Sequence, residues 1–266
     1  MEKYDLSKFY SLLKIKFDKS TAEEIMAFLL SEFANAIKLK DEFAIISVGN
    51  ELGSYQRLAG RVEESYRIYD LVGKLIKKHF GEESQEYASY LLNLADVDIV
   101  AQNYGLAVAK LKTCLAILKD FDDVDYLVAS AYNNRSSAYR QLGELALAEE
   151  DIRQAIKIVK NDSKIAISKI NLSQIQNMQK KYSQAIENVR DAIGYFLKNK
   201  PNDIHLAHAY ASYGDIFYQL GEYDRSIEEF QKARKIIKEK IVQGQSLEMI
   251  DKNIDLARKG RSLWRD

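Results

Sequence analysis

Residues 207–237 read Ala207-His-Ala-Tyr-Ala-Ser-Tyr-Gly-Asp-Ile-Phe-Tyr-Gln-Leu-Gly-Glu-Tyr-Asp-Arg-Ser-Ile-Glu-Glu-Phe-Gln-Lys-Ala-Arg-Lys-Ile-Ile237. This stretch predicts two helices joined by a tight turn at Gly221. Small residues, Gly214, Ser226 and Ala233, stand where the two helices must approach. Large ones, Tyr210, Tyr213, Phe217, Tyr223 and Phe230, stand where gaps must be filled. The reason is steric: helices packed about 8–10 Å apart need small side chains at their crossing.

The same arrangement recurs upstream. Aligned on the turn, the units have Gly60, Gln102, Gly143, Lys180 and Gly221, at intervals of 42, 41, 37 and 41 residues. Two positions later come Val62, Tyr104, Leu145, Tyr182 and Tyr223. Five after the turn come Ser65, Ala107, Ala148, Ala185 and Ser226, and twelve after it Val72, Cys114, Ala155, Ala192 and Ala233. Seven before it come Gly53, Ala95, Ser136, Ser173 and Gly214. Small residues at three fixed offsets in five units, with only Val72 somewhat larger, define a repeat.

Leu-Gly, a following Tyr, and small and aromatic residues at these offsets resemble the tetratricopeptide repeat. Intervals near 41 exceed the common 34-residue period and lengthen both helices. This resembles the kinesin light chain type, and Ala131-Tyr-Asn-Asn-Arg-Ser-Ser-Ala-Tyr139 is close to that family's Leu-Asn-Asn-Leu-Gly-x-x-Tyr. The resemblance covers about residues 43–242. It departs at Gln102 and Lys180, which replace the turn glycine, and at Lys169, which replaces a large residue in the fourth repeat. The resemblance implies an all-α, right-handed superhelical solenoid of about five helix pairs, with a helical cap at each end.

The expected organisation is a hairpin cap over 1–42, repeats over 43–83, 84–123, 124–162, 163–202 and 203–243, and a capping helix over 244–266. In the first segment Asp5 or Ser7 caps a short helix, and Ser20 with Glu23 has capping-box spacing, which starts a second helix at Thr21. Between repeats lie Gly81–Ser84, Phe121–Asp123, Asn161–Ser163 and Lys200–Asp203, each short and carrying cap residues. Ser246 is expected to cap the final helix, whose face carries Leu247, Ile250, Ile254 and Ala257. Trp264 lies beyond that stripe and is either folded back or an exposed contact.

Composition narrows the function. The 266 residues contain one proline, where average usage of roughly 5 % would give about 13. That favours many helices and few long loops. Charges balance at 39 against 39, so nothing invites nucleic acid. No apolar run of about 20 residues indicates a membrane span. Cys114 is the single cysteine, so no internal disulfide forms. A reducing, cytoplasmic location is the expectation.

No catalytic constellation stands out, and no cofactor or enzyme activity is expected. His205 and His208 are three apart on one helix, with no third metal ligand signalled. Cys114 occupies a packing position and reads as an inert buried thiol. Gly49 and Gly53 lie inside a helix and read as close-packing sites rather than a phosphate loop.

What remains is the first helix of each pair. In the family its second, fifth, sixth, ninth and twelfth positions, counted from fourteen before the turn, line the concave groove. The sixth is Glu51, Asn93, Asn134, Asn171 and Ser212; the fifth adds Asn50 and Asn133. The ninth is Ser54, Asp96, Ser137, Gln174 and Asp215; the twelfth is Arg57, Ile99, Arg140, Asn177 and Tyr218; the second in the last repeat is His208. An amide carries donor and acceptor and pairs with a peptide unit, so a ladder of Asn93, Asn134 and Asn171 would hold an extended ligand. The competing reading is that these amides bond side chains of neighbouring repeats. The expected ligand-binding set is Asn50, Arg57, Asn93, Asp96, Asn133, Asn134, Ser137, Arg140, Asn171, Gln174, Asn177, His208, Asp215 and Tyr218. The Lys and Arg clamp that grips a free carboxylate in some such repeats is missing: the fifth position holds no Lys. The expected function is a non-catalytic adaptor for a peptide or partner protein, with self-association left open. The alternative, suggested by similar repeats in Gram-positive quorum-sensing receptors, is a bacterial peptide sensor.

Overall fold

A computed structural model describes residues 3–240 and 245–263. Among them it holds thirteen α-helices and no strand. The chain forms two compact units, 1–142 and 143–266. The first contains α1 (Leu6–Lys19), α2 (Ala22–Leu39), α3 (Glu42–Leu58), α4 (Val62–Phe80), α5 (Gln85–Val100), α6 (Tyr104–Leu118) and α7 (Asp125–Gln141). The second contains α8 (Leu145–Ile158), α9 (Asp162–Met178), α10 (Tyr182–Asn199), α11 (Ile204–Gln219), α12 (Tyr223–Lys240) and α13 (Gln245–Leu263).

The turns fix the repeat. Gly60, Gln102, Gly143, Lys180 and Gly221, the five aligned turn residues, all have positive φ, between 61° and 79°. Each αL residue ends the first helix of its pair. At Gly60 the Arg61 N–H reaches back to the Gln56 carbonyl (2.8 Å) and the Gly60 N–H to Arg57 (3.0 Å), which satisfies two carbonyls of the last turn. The same double bond closes α5 at Gln102 and Asn103, α9 at Lys180 and Lys181, and α11 at Gly221 and Glu222. Lys40, at φ 54°, ends α2 in the same way, with Asp41 reaching Ala36. The turn conformation therefore persists where glycine does not, at the expense of a strained side-chain position at Gln102 and Lys180.

The small positions are the crossings. Ser65, Ala107, Ala148, Ala185 and Ser226 are fully buried, as are Val72, Cys114, Ala155, Ala192 and Ala233. Gly53 is pressed against Tyr69, and a Cβ on Gly49 would meet Val72 at 2.5 Å. In the first unit α1 and α2 bury Phe9, Leu13, Ile25, Leu29 and Phe33 with Val48 and Leu52 of α3. In the second, Ile250, Ile254 and Ala257 of α13 pack on Ile227, Phe230, Ala233 and Ile237 of α12. Leu247 lies against the same cluster.

Several caps differ from expectation by small shifts. Asp5 caps α1. The box at α2 is Thr21 with Glu24, one residue later than Ser20 with Glu23, because Thr21 adopts the extended N-cap backbone. Ser84, Asn161 and Asp203 cap α5, α9 and α11. The segment 121–123 supplies no cap: Asp123 is left-handed and Val124 precedes α7 without a side-chain bond. Helix α13 begins at Gln245, one residue before Ser246, and Trp264 lies outside the described residues.

Candidate binding face

In the first unit α5 contacts α3 and α7, which brings the twelfth position of α3, the ninth of α5 and the sixth of α7 together along one seam. Arg57 Nη2 lies 3.7 Å from Asp96 Oδ2 and 3.4 Å from Ser54 Oγ. From the next helix, Asn134 Nδ2 donates to Asp96 Oδ1. Three successive repeats thus meet at one carboxylate. Burial pushes Asp96 up to about 6, against the opposing pull of Arg57 and Asn134. Glu51, on the same face, is also raised by desolvation.

The other amides behave differently from Asn134. Asn133 donates to the Ala129 carbonyl of its own helix at 2.9 Å. Asn50 is half-buried, and its Oδ1 is closed to water and without a donor. Asn93 is half-buried and makes no hydrogen bond among the described residues. Ser137 and Arg140 are half-buried, and burial lowers the Arg140 guanidinium pKa.

In the second unit α9 neighbours α11. Ser173 Oγ and Ser212 Oγ are 2.9 Å apart and both buried, so the sixth position of the last repeat is sealed into the helix contact. Asn171 is half-buried, again without a partner among the described residues, and Gln174 is half-buried. Asn177 Oδ1 is buried with no donor. Asp215 makes no ion pair or hydrogen bond among the described residues, and burial pushes it up to about 6. Tyr218 is half-buried, edge-on to Tyr223 at 5.6 Å between ring centres. His208 lies at the surface, its pKa lowered by partial desolvation and by His205, whose ring is 5.7 Å away.

Sequence reasoning passed over two buried carboxylates held between helices of successive repeats. Asp98 is buried and accepts from Tyr66 (2.7 Å) and Lys110 (2.6 Å). Glu149 is buried too. Burial opposes its charge, but hydrogen bonds from Lys181 and Arg153, both 2.7 Å, hold its carboxyl down at about 2. A signal existed: six after the turn the other units have Tyr66, Val108, Ile186 and Ile227, and only the third has a charge. Both networks are internally satisfied and serve packing.

Among the described residues no group of three His, Cys, Asp or Glu is arranged to hold a metal ion. The Cys114 thiol is buried and pushed up to about 12 by desolvation, far from a reactive thiolate. No described helix is long and apolar enough to cross a membrane.

The tetratricopeptide repeat model matches residues 129–162 and 207–239. No curated protein matches the sequence. Among solved structures, aspartyl phosphate phosphatase F from Bacillus subtilis is 15% identical, with a TM-score of 0.68 over 98% of this chain and 71% of that one. The apo form of RapI is 13% identical, with a TM-score of 0.66 over 96% of this chain and 97% of that one. Kinesin light chain TPR-like repeats from Podosopora anserina are 16% identical, with a TM-score of 0.61 over 74% and 97%. At these identities the likeness is one of fold.

Proposed function

As a tetratricopeptide-repeat protein, this chain is, we propose, a non-catalytic scaffold that holds an extended peptide or partner segment against the first helices of its repeats. The observation that carries this reading is the pair Asn93 and Asn171. Each is an amide at the sixth position, half-buried, with no partner among the described residues. Neither amide is sealed from solvent, so each is reachable by a ligand, and Asn is a poor residue for a helix interior. A ligand peptide unit offers the donor and acceptor that such an amide lacks. The groups around them carry both signs of charge, which suits a neutral or mixed internal segment. The location we propose is the cytoplasm, where a lone buried thiol such as Cys114 needs no oxidising partner.

Selection from a displayed library of random heptapeptides tests this. The expected result is a set of enriched peptides whose affinity falls about 2- to 10-fold on Asn93→Ala or Asn171→Ala, the equivalent of one hydrogen bond each. Enriched peptides that bind both variants as tightly as the parent would remove these amides from the site. Adaptor and sensor differ in ligand size: a partner protein recovered by pull-down supports the adaptor, and a short secreted peptide that binds by itself supports the sensor.

A further inference from the structure

The two units treat the same structural position in opposite ways. In the first, the twelfth position of one repeat is Arg57 and the ninth of the next is Asp96, and they form an ion pair. In the second, the equivalent residues are Asn177 on α9 and Asp215 on α11. Both helices follow the same hairpin order and so run in the same direction. Their register is set by the Ser173–Ser212 contact at 2.9 Å. Asn177 and Asp215 lie four and three residues further on, about one turn along each helix, and so fall on the same seam.

There the seam holds a carboxylate with no cation beside it among the described residues. Asp215 has no ion pair or hydrogen bond among the described residues, and Asn177 Oδ1 is buried without a donor. The cation that Arg57 supplies in the first unit is missing from the second. Tyr218, three residues after Asp215 and on the same helix face, is a half-buried aromatic, the kind of surface on which a cation rests.

We propose that Asp215, with Asn177 and Tyr218, forms a subsite for a cationic group of the ligand, an alkylammonium or an alkylguanidinium. The proposal rests on the reading of the first-helix face as a peptide site, and it gives that peptide a chemistry: a basic side chain or a free amino terminus over the second unit. Asp215 is half-buried, so its carboxylate is reachable. Asn177 Oδ1 is closed off by its neighbours, so an incoming cation meets Asp215 first.

The test uses small probes, which separate this subsite from the peptide reading. The ¹⁵N-labelled protein is titrated with n-butylguanidinium chloride, n-butylammonium chloride and, as the neutral control, 1-butanol. Both cations should shift the backbone amide signals of residues 212–218 saturably, and butanol should not. Which cation binds more tightly distinguishes a guanidinium source from an ammonium source. Asp215→Asn should weaken cation binding about tenfold or more. Asn177→Arg, which copies Arg57, should fill the site from within, abolish cation binding and raise the melting temperature. Cations that shift the parent protein and Asp215→Asn alike, or that shift neither, overturn the subsite. If Asp215→Asn fails to fold, an Asn177→Arg protein that still binds butylguanidinium overturns it equally. Enriched heptapeptides without a basic group, with no cation titration, would remove the subsite and leave the peptide site standing. Saturable cation binding with an empty peptide selection would do the reverse.

Discussion

The ring of Phe230 fills the space where Gly214 lacks a side chain: a Cβ at Gly214 would sit 2.7 Å from the nearest ring carbon. Sixteen residues apart, the two occupy offsets −7 and +9 from the turn. Gly53 and Tyr69 repeat the arrangement at the same offsets, with a closest approach of 2.8 Å. In the three other units the +9 residue is Leu111, Ile152 or Val189, and the −7 residue is Ala95, Ser136 or Ser173. Volume is thus exchanged across the crossing. Where both aromatic and glycine are present, a serine at +5 also bonds the glycine carbonyl: Ser65 to Gly53 at 2.8 Å and Ser226 to Gly214 at 2.9 Å.

Gly214→Ala should therefore overpack this crossing and cost about 1–3 kcal/mol. Phe230→Leu alone should cost a similar amount by leaving a void. The double variant, which recreates the Ala95–Leu111 pairing, should be less destabilised than the sum of the two by about 1 kcal/mol or more. Denaturant melts of the three proteins measure the coupling; strict additivity would mean that the two positions do not share volume.

The non-glycine turns offer the opposite result. Gln102 and Lys180 sit at φ 61° with exposed side chains or nearly so. A side chain in the left-handed region costs about 1–2 kcal/mol, part of which glycine returns as lost chain entropy. Gln102→Gly and Lys180→Gly should each stabilise by about 0.5–1 kcal/mol, and together raise the melting temperature additively. Lower melting in either variant would mean that its side chain makes a contact worth more than the strain.

The asparagines divide into two classes by stability. Asn134 supplies a donor to the half-buried Asp96, so Asn134→Ala should cost about 1–3 kcal/mol. Asn93 has no such duty, and Ala is the better helix former, so Asn93→Ala should leave stability unchanged or raise it by about 0.5 kcal/mol. Thermal melts of the two single variants decide the point. Equal losses would assign Asn93 a structural role.

Asp215 and Asp96 make stability depend on pH in an uncommon direction. Each has a folded-state pKa near 6, above the unfolded value of about 3.9. Between these values the folded state binds more protons, so stability falls as pH rises from about 4 to about 6. For Asp215, which has no compensating partner among the described residues, the loss is on the order of 2 kcal/mol. Asp215→Asn should flatten that part of the curve and be the more stable protein at pH 7. Urea melts at pH 4, 5, 6 and 7 check the sign; parallel curves for parent and variant would show that the carboxyl titrates normally.

Most of the architecture was legible in the sequence. Turn residues, small crossing positions and cap residues act over one or two helical turns or within a single hairpin, so their constraints recur at fixed spacing along the chain. Even Gln102 and Lys180 could be placed by register, and both adopt the turn glycine's conformation. The roles of the polar side chains were not legible, because a hydrogen-bond partner sits on another helix pair about 38 residues away. Asn93, Asn134 and Asn171 share one position in the pattern, yet only Asn134 is held by a neighbouring carboxylate. Ser212, at that same position, is sealed against Ser173. Asp96 and Asp215 are likewise equivalent in sequence, and the tertiary structure gives a cation to the first and none, among the described residues, to the second. Sterics repeat because small residues at fixed spacing serve each hairpin by itself; electrostatics do not, because each seam pairs whichever residues its two neighbours bring.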